Sequence, residues 1–158
     1  MALVKSLVQM LHQSLLTMQN PSPTSGAEEY ARLFPGQAIP DWALSKMHLF
    51  EYNKFTLKAG GIRTVPLTRI VGTTHPRYGG KVRWLDMLNA KKKSNFRAGN
   101  WPAFLNANTS TLDLICIAGT EDYYINAEGN HRVSALKLAG KESITCNVDV
   151  AYPIQTHS

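Results

Sequence analysis

The segment that most constrains this fold runs from Leu112 to Val150, where short apolar runs alternate with glycine turns. Leu112 to Ala118 (LDLICIA) is an apolar run of strand length, and Gly119 to Asp122 reads as a turn. Tyr123 to Asn126 reads as a second strand. The chain then passes through Glu128-Gly129-Asn130-His131-Arg132 directly into a helical pattern over Val133 to Leu138. Gly140 suits the left-handed position that ends a helix, and Ser143 to Val150 reads as a closing strand. Strand, strand, helix, strand in that order predicts an α+β domain with a mixed sheet and packed helices. No internal repeat is visible.

The 158 residues suit one ordinary domain, and 44% hydrophobic content supplies a core. With 18% charged residues and no low-complexity run, wholesale disorder is not expected. No stretch reaches the roughly 18 apolar residues that cross a bilayer, so no membrane partner is expected. Residues 2–19 read as an amphipathic helix, with Leu3, Leu7, Met10, Leu11 and Leu15 on one stripe. Such a stripe docks on its own domain or pairs with a second copy as a homodimer. Its single Lys does not make the basic face of a lipid binder. Gln9, His12 and Gln13 interrupt the apolar run and no small-x-small cleavage site follows, which argues for the cytoplasm over secretion. Asn20 to Gly26 ends that helix. A short acidic helix over Ala27 to Leu33 and a helix start at Pro40-Asp41-Trp42 follow, so residues 1–50 read as a helical, peripheral N-terminal extension.

Residues 54–152 then form the main domain. Phe55 to Leu57 and Ile62 to Val71 have strand character, with Gly60-Gly61 expected as a turn between them. Trp84 to Ala90 is expected to be a short helix, and Asn95 to Asn108 a loop anchored by Trp101-Pro102. Cys116 and Cys146 sit in apolar runs and read as buried thiols in a reducing compartment.

Charge is unevenly placed. The net charge is +6, yet residues 54–97 hold eleven Lys or Arg against one acid, Asp86, leaving the remainder acidic. A segment so basic suits a polyanion or a solubilising surface. Arg77, Lys81 and Arg83 stand among Tyr78, Trp84 and flexible glycines, a mixture that holds phosphates while stacking a base. Lys91, Lys92, Lys93 and Arg97 extend this candidate DNA track. Alternatively Trp84 is core and the lysines are a solvated helix end, favourable to the helix dipole.

The turn at residues 128–132 carries the candidate chemistry. The first amides of a helix lack intrahelical partners and its dipole end is positive, so an anion suits the site. Gly129 permits close approach, and Arg132 offers a permanently charged fork to phosphate oxygens. His131 exchanges protons near neutral pH. Glu128 serves as a base or holds Mg²⁺. The plain alternatives are a tight turn at Gly129, an N-cap at Asn130, a structural Glu128–Arg132 ion pair and a satisfied core histidine.

The run YYINAEGNHRVSALKLAGKESITCNV resembles the signature of the ParB/sulfiredoxin fold superfamily. The matching features are the strand Tyr123–Ile125, the turn Gly129-Asn130-His131-Arg132, Ser134-Ala135 in the helix and the closing strand Ile144–Val148. LDLICIA resembles the strand before the turn, and Thr64-Val65-Pro66-Leu67 the first strand. The resemblance covers roughly residues 62–150. It implies a ParB/sulfiredoxin-like mixed sheet and nucleotide phosphates, as ATP or CTP with Mg²⁺, held at Gly129, Asn130, His131, Arg132 and Ser134. Members that stand alone are ATPases, nucleases or small-molecule kinases, several from plasmids or phages. That implies an NTP-dependent hydrolase, phosphotransferase or nuclease with Glu128 and His131 as acid and base. The alternative is a non-catalytic accessory module that binds DNA or protein. Asn130 stands where sulfiredoxins carry their catalytic cysteine, so sulfinyl reduction is not expected. ParB proteins carry a glutamate in this turn, which is missing here, and with eight residues after Val150 a full DNA clamp with a helix-turn-helix is not expected.

Overall fold

The structure, a computed structural model, describes residues 25–88 and 101–155. The expected helix over residues 2–19 and the cations Lys91, Lys92, Lys93 and Arg97 lie outside the described residues. Three helices, α1 (Gly26–Leu33), α2 (Trp101–Asn106) and α3 (Asn130–Leu138), accompany six strands among the described residues. The strands are β1 (His48–Leu49), β2 (Phe55–Pro66), β3 (Ile70–Thr73), β4 (Asp113–Ile117), β5 (Tyr123–Ile125) and β6 (Ser143–Pro153). They form one mixed sheet in the order β1-β3-β5-β4-β6-β2. The α+β architecture is therefore as the sequence implies. No helix among the described residues is long and apolar enough to cross a membrane.

The expected hairpin of β4 and β5 is present, with Leu114 opposite Ile125 and Cys116 opposite Tyr123. Helix α3 then carries the chain to β6, which runs parallel to β4. Alternation along the strands sends Leu114, Cys116, Ile125, Ile144, Cys146 and Val148 to the face covered by α3. There they meet Val133, Leu136 and the short 3-10 helix Trp84–Leu88. Full burial of a side chain such as Leu114 or Leu136 contributes about 1.5–3 kcal/mol. Both cysteines are buried and unpaired, and burial pushes both thiols up, Cys146 to about 11. The opposite face holds a smaller cluster of Phe50, Ile115, Tyr124 and Ala151.

Three expectations need correction. Gly60-Gly61 is not a turn between strands. β2 runs through it against β6 with a bulge between Ala59 and Ile62, because a glycine at φ +82° adds a residue without ending the ladder. Residues 95–108 are not all loop, since Trp101–Asn106 is helical. Nor are residues 25–50 peripheral. Tyr30, Phe34, Ala43 and Met47 lie in the main core, and β1 pairs with β3 at the sheet edge. Ser25 caps α1 by accepting from the Glu28 amide, and Gly26 lets the helix sit against the backbone of Leu85, where a Cβ would lie 2.3 Å from the carbonyl oxygen. Apolar side chains separated by turns were read as a surface extension, but they close the open flank of the helical layer.

On that flank Lys137 of α3 lies over the rings of Trp84 and Trp42, at 4.3 and 4.9 Å, and donates to the Ile70 carbonyl at 2.6 Å. Burial pulls its ammonium down to about 8. The two indole faces and the carbonyl favour its charged form.

Candidate functional site

Two residues in the left-handed region build the turn between β5 and α3. Ala127 sits at φ 61° and Gly129 at φ 95°. A non-glycine residue at positive φ costs of order 1–3 kcal/mol and persists where its surroundings hold it. Here β3 and the residue after it do so. The Ala127 amide donates to Thr74 Oγ1 at 3.0 Å, and the Thr74 amide to the Ile125 carbonyl at 2.9 Å. Asn130, 4% exposed, donates through Nδ2 to the Ala127 carbonyl at 3.0 Å, while Thr73 Oγ1 donates to Asn130 Oδ1. The Asn130 side chain is thus committed inward, and Gly129, not Asn130, occupies the N-cap of α3. A Cβ on Gly129 would lie 2.6 Å from Leu112 Cδ2, so both conformation and space demand glycine.

The first intrahelical bond of α3 runs from the Val133 amide to the Gly129 carbonyl at 2.9 Å. The amides of Asn130, His131 and Arg132 precede it and take no protein acceptor among the described residues. They belong to residues lining a cleft of about 1170 Å³. Its walls are the turn 126–132, the start of β4 at Leu112 and Asp113, Phe104 of α2, and His75 and Tyr78. The volume accommodates a nucleotide-sized ligand.

Glu128, Gly129, Asn130, His131 and Arg132 are therefore brought together on one cleft. Arg132 donates to the Asn108 carbonyl at 2.7 Å, and its other guanidinium donors are uncommitted among the described residues. Glu128 is exposed on the rim, and no ion pair joins it to Arg132 among the described residues. His131 Nδ1 lies 2.8 Å from the Met87 carbonyl, and its Nε2 lies 3.5 Å from the Tyr78 hydroxyl. Ser134 is elsewhere. It is fully buried in α3, is not among the lining residues, and its hydroxyl has no partner among the described residues. Arg77 and Lys81 are exposed on the segment that brings Tyr78 to the cleft, whereas Arg83 is bound to Asp86 at 2.8 and 3.1 Å. Trp84 is core.

Sequence reasoning missed Asp113 as a lining residue. The hairpin register carried the signal. With Leu114 opposite Ile125, Asp113 must stand beside Asn126, and the Asn126 amide donates to the Asp113 carbonyl at 2.9 Å. The structural role of Thr73 and Thr74 was also missed, since nothing local in the sequence links them to a turn fifty residues later.

No protein-family model, curated protein or solved structure matches the chain.

Proposed function

We propose that this chain is a nucleotide-phosphate-binding protein with a ParB/sulfiredoxin-like domain, acting as an NTP-dependent hydrolase, phosphotransferase or nuclease. One observation carries the reading. The three unclaimed amides at the start of α3 and the Arg132 guanidinium belong to the same cleft. Backbone donors on a positive dipole end, with a planar cation beside them, suit phosphate oxygens. Phosphoryl transfer needs chiefly positioning and charge stabilisation, which such donors supply. Glu128 is the rim carboxylate able to accept a proton from water or a hydroxyl. Oriented by the Met87 carbonyl, His131 is the second proton carrier.

The residues present fit Mg²⁺ that arrives with a triphosphate. Mg²⁺ is commonly held by one or two carboxylates together with substrate phosphates; of the two acidic residues lining the cleft, Glu128 is exposed on the rim, whereas Asp113 Oδ1 accepts from Asn147 Nδ2 at 3.0 Å. No group of three or more His, Cys, Asp or Glu able to hold a metal occurs among the described residues. Glu128 is the residue that would hold the ion where it does not serve as the base, and the ion would offset phosphate charge.

A second reading, a non-catalytic DNA-binding module, draws support from Arg77 and Lys81, exposed beside Tyr78. Calorimetry with ATP, CTP and GTP, each with Mg²⁺, separates the two. Under the first reading Arg132→Ala abolishes binding. Glu128→Gln then retains affinity and cuts turnover roughly 10²- to 10⁴-fold, the usual contribution of a positioned proton carrier. If no nucleotide binds, the enzymatic reading fails and the basic surface is the remaining candidate.

A further inference from the structure

Holding phosphates at residues 130–132 leaves Tyr78 without a role, although its hydroxyl lies in the cleft wall beside a base. A carbonyl oxygen only accepts, so the 2.8 Å contact with Met87 fixes the proton of neutral His131 on Nδ1. The Nε2 lone pair then faces the Tyr78 hydroxyl at 3.5 Å. That spacing is long for a formed hydrogen bond, and catalytic pairs often keep such a separation until substrate closes on them. The two rings meet edge to face at 5.8 Å, with planes at 78°.

The tyrosine is also held still. Its ring stacks on His75 at 4.4 Å and 29°. The backbone around it is a tight turn, in which the Tyr78 and Gly79 amides both donate to the His75 carbonyl, at 3.1 and 2.9 Å. The same turn is tied to the β5–α3 turn, because the His75 amide donates to Thr73 Oγ1, the hydroxyl that reaches Asn130. A neutral phenol is a weak nucleophile, and a neighbouring base with an oriented ring is what activates such a group. Thr111 is the other hydroxyl lining the cleft, and no basic side chain bonds to it among the described residues.

We propose that Tyr78 is a phosphoryl acceptor, and that the substrate of this cleft is a nucleoside triphosphate attacked at its γ-phosphorus. This rests on the reading of residues 129–132 as the phosphate site. A bond forms between Tyr78 Oη and the γ-phosphorus, and the bond from that phosphorus to the β,γ-bridging oxygen breaks. The phenolic proton passes to His131 Nε2, and a nucleoside diphosphate leaves. The product is a phosphotyrosine on a protein side chain.

The test incubates the full chain with Mg²⁺ and ATP or CTP labelled at the γ-phosphate, followed by quenching in neutral denaturant, acid treatment of one portion only, and peptide mapping of both. Nucleotide affinity is measured in parallel by calorimetry. The expected result is one acid-stable phosphoryl group on the peptide containing Tyr78, absent in Tyr78→Phe. In His131→Gln labelling slows roughly 10²- to 10⁴-fold while affinity changes only a few-fold. Label that persists in Tyr78→Phe, label on Thr111, acid-labile label on His131, or nucleotide binding with no label overturns the assignment of Tyr78. Each of these leaves the nucleotide reading standing. Absence of nucleotide binding overturns both. Should Tyr78→Phe fail to fold, the wild-type peptide map and the His131→Gln rate decide.

Discussion

Replacing Gly129 by alanine tests the turn on which the cleft depends. At φ 95° and ψ 8° a side chain brings a left-handed backbone penalty of about 1–2 kcal/mol. The new Cβ would also lie 2.6 Å from Leu112 Cδ2, so the Leu112 side chain, 7% exposed, must shift to receive it. Overpacking of that kind costs about 1–3 kcal/mol. Together the two effects predict a loss of about 2–5 kcal/mol in urea unfolding. At about 2–4 °C per kcal/mol for a chain of this size, the midpoint falls by roughly 4–20 °C. A double-mutant cycle separates the causes. Leu112→Ala alone leaves a cavity and costs about 2–5 kcal/mol. Combined with Gly129→Ala, it removes the clash and receives the added methyl, so the double variant should be about 1–2 kcal/mol more stable than the sum of the single losses. The backbone penalty remains. If the losses add within about 0.5 kcal/mol, or Gly129→Ala alone costs less than that, the packing argument is wrong.

Asn130→Ala removes the acceptor of Thr73 Oγ1 and the donor to the Ala127 carbonyl, and a loss of about 2–4 kcal/mol is expected in the same unfolding assay. A loss under about 0.5 kcal/mol would mean the turn is held without Asn130. Lys137 makes stability depend on pH. Its folded pKa of about 8 lies below the unfolded value of about 10.4, so between these the unfolded chain binds more protons and stability rises with pH. Solvent access and the two indole faces limit the gain to roughly 1–2 kcal/mol. Cysteines and tyrosines titrate in the same range, so the quantity to read is the difference between wild type and Lys137→Met, which should grow between pH 8 and 10. A flat difference would place the folded amine at its ordinary pKa.

The legible parts of the fold were those specified by neighbours in sequence. β4, β5, α3 and β6 follow one another with short connections, and Cys116 and Cys146, read as buried thiols, do face the core. The glycine at 129 announced a tight strand-to-helix turn, and the residues around it do share one cleft. Less legible were features decided by distant packing. Gly60-Gly61 carries the composition of a turn, but ten register pairs with β6 keep β2 continuous through it. Met47 and Phe50 lie in a stretch whose apolar residues are broken up by polar ones, yet β1 is secured by pairing with β3, and Gly72 is needed there because a Cβ would meet the His48 carbonyl oxygen at 2.1 Å.

Residues expected to act in the same way also separate once the fold is known. Ser134 follows Arg132 by two positions, and on a helix that spacing turns it to another face, here the buried one. His131 remains on the cleft because its ring is stopped by the Met87 carbonyl on one side and faces Tyr78 on the other. β3 explains why Tyr78 is there at all. It runs parallel to β5 and ends on Thr73, whose hydroxyl, with that of Thr74, fastens the β5–α3 turn. The chain leaving β3 must therefore emerge beside that turn, and within five residues it delivers His75 and Tyr78 to the same cleft. Position in the sheet, not proximity in sequence, joins a hydroxyl at residue 78 to a base at residue 131. Loosening β3 should accordingly disturb the tyrosine and the amides of residues 130–132 together.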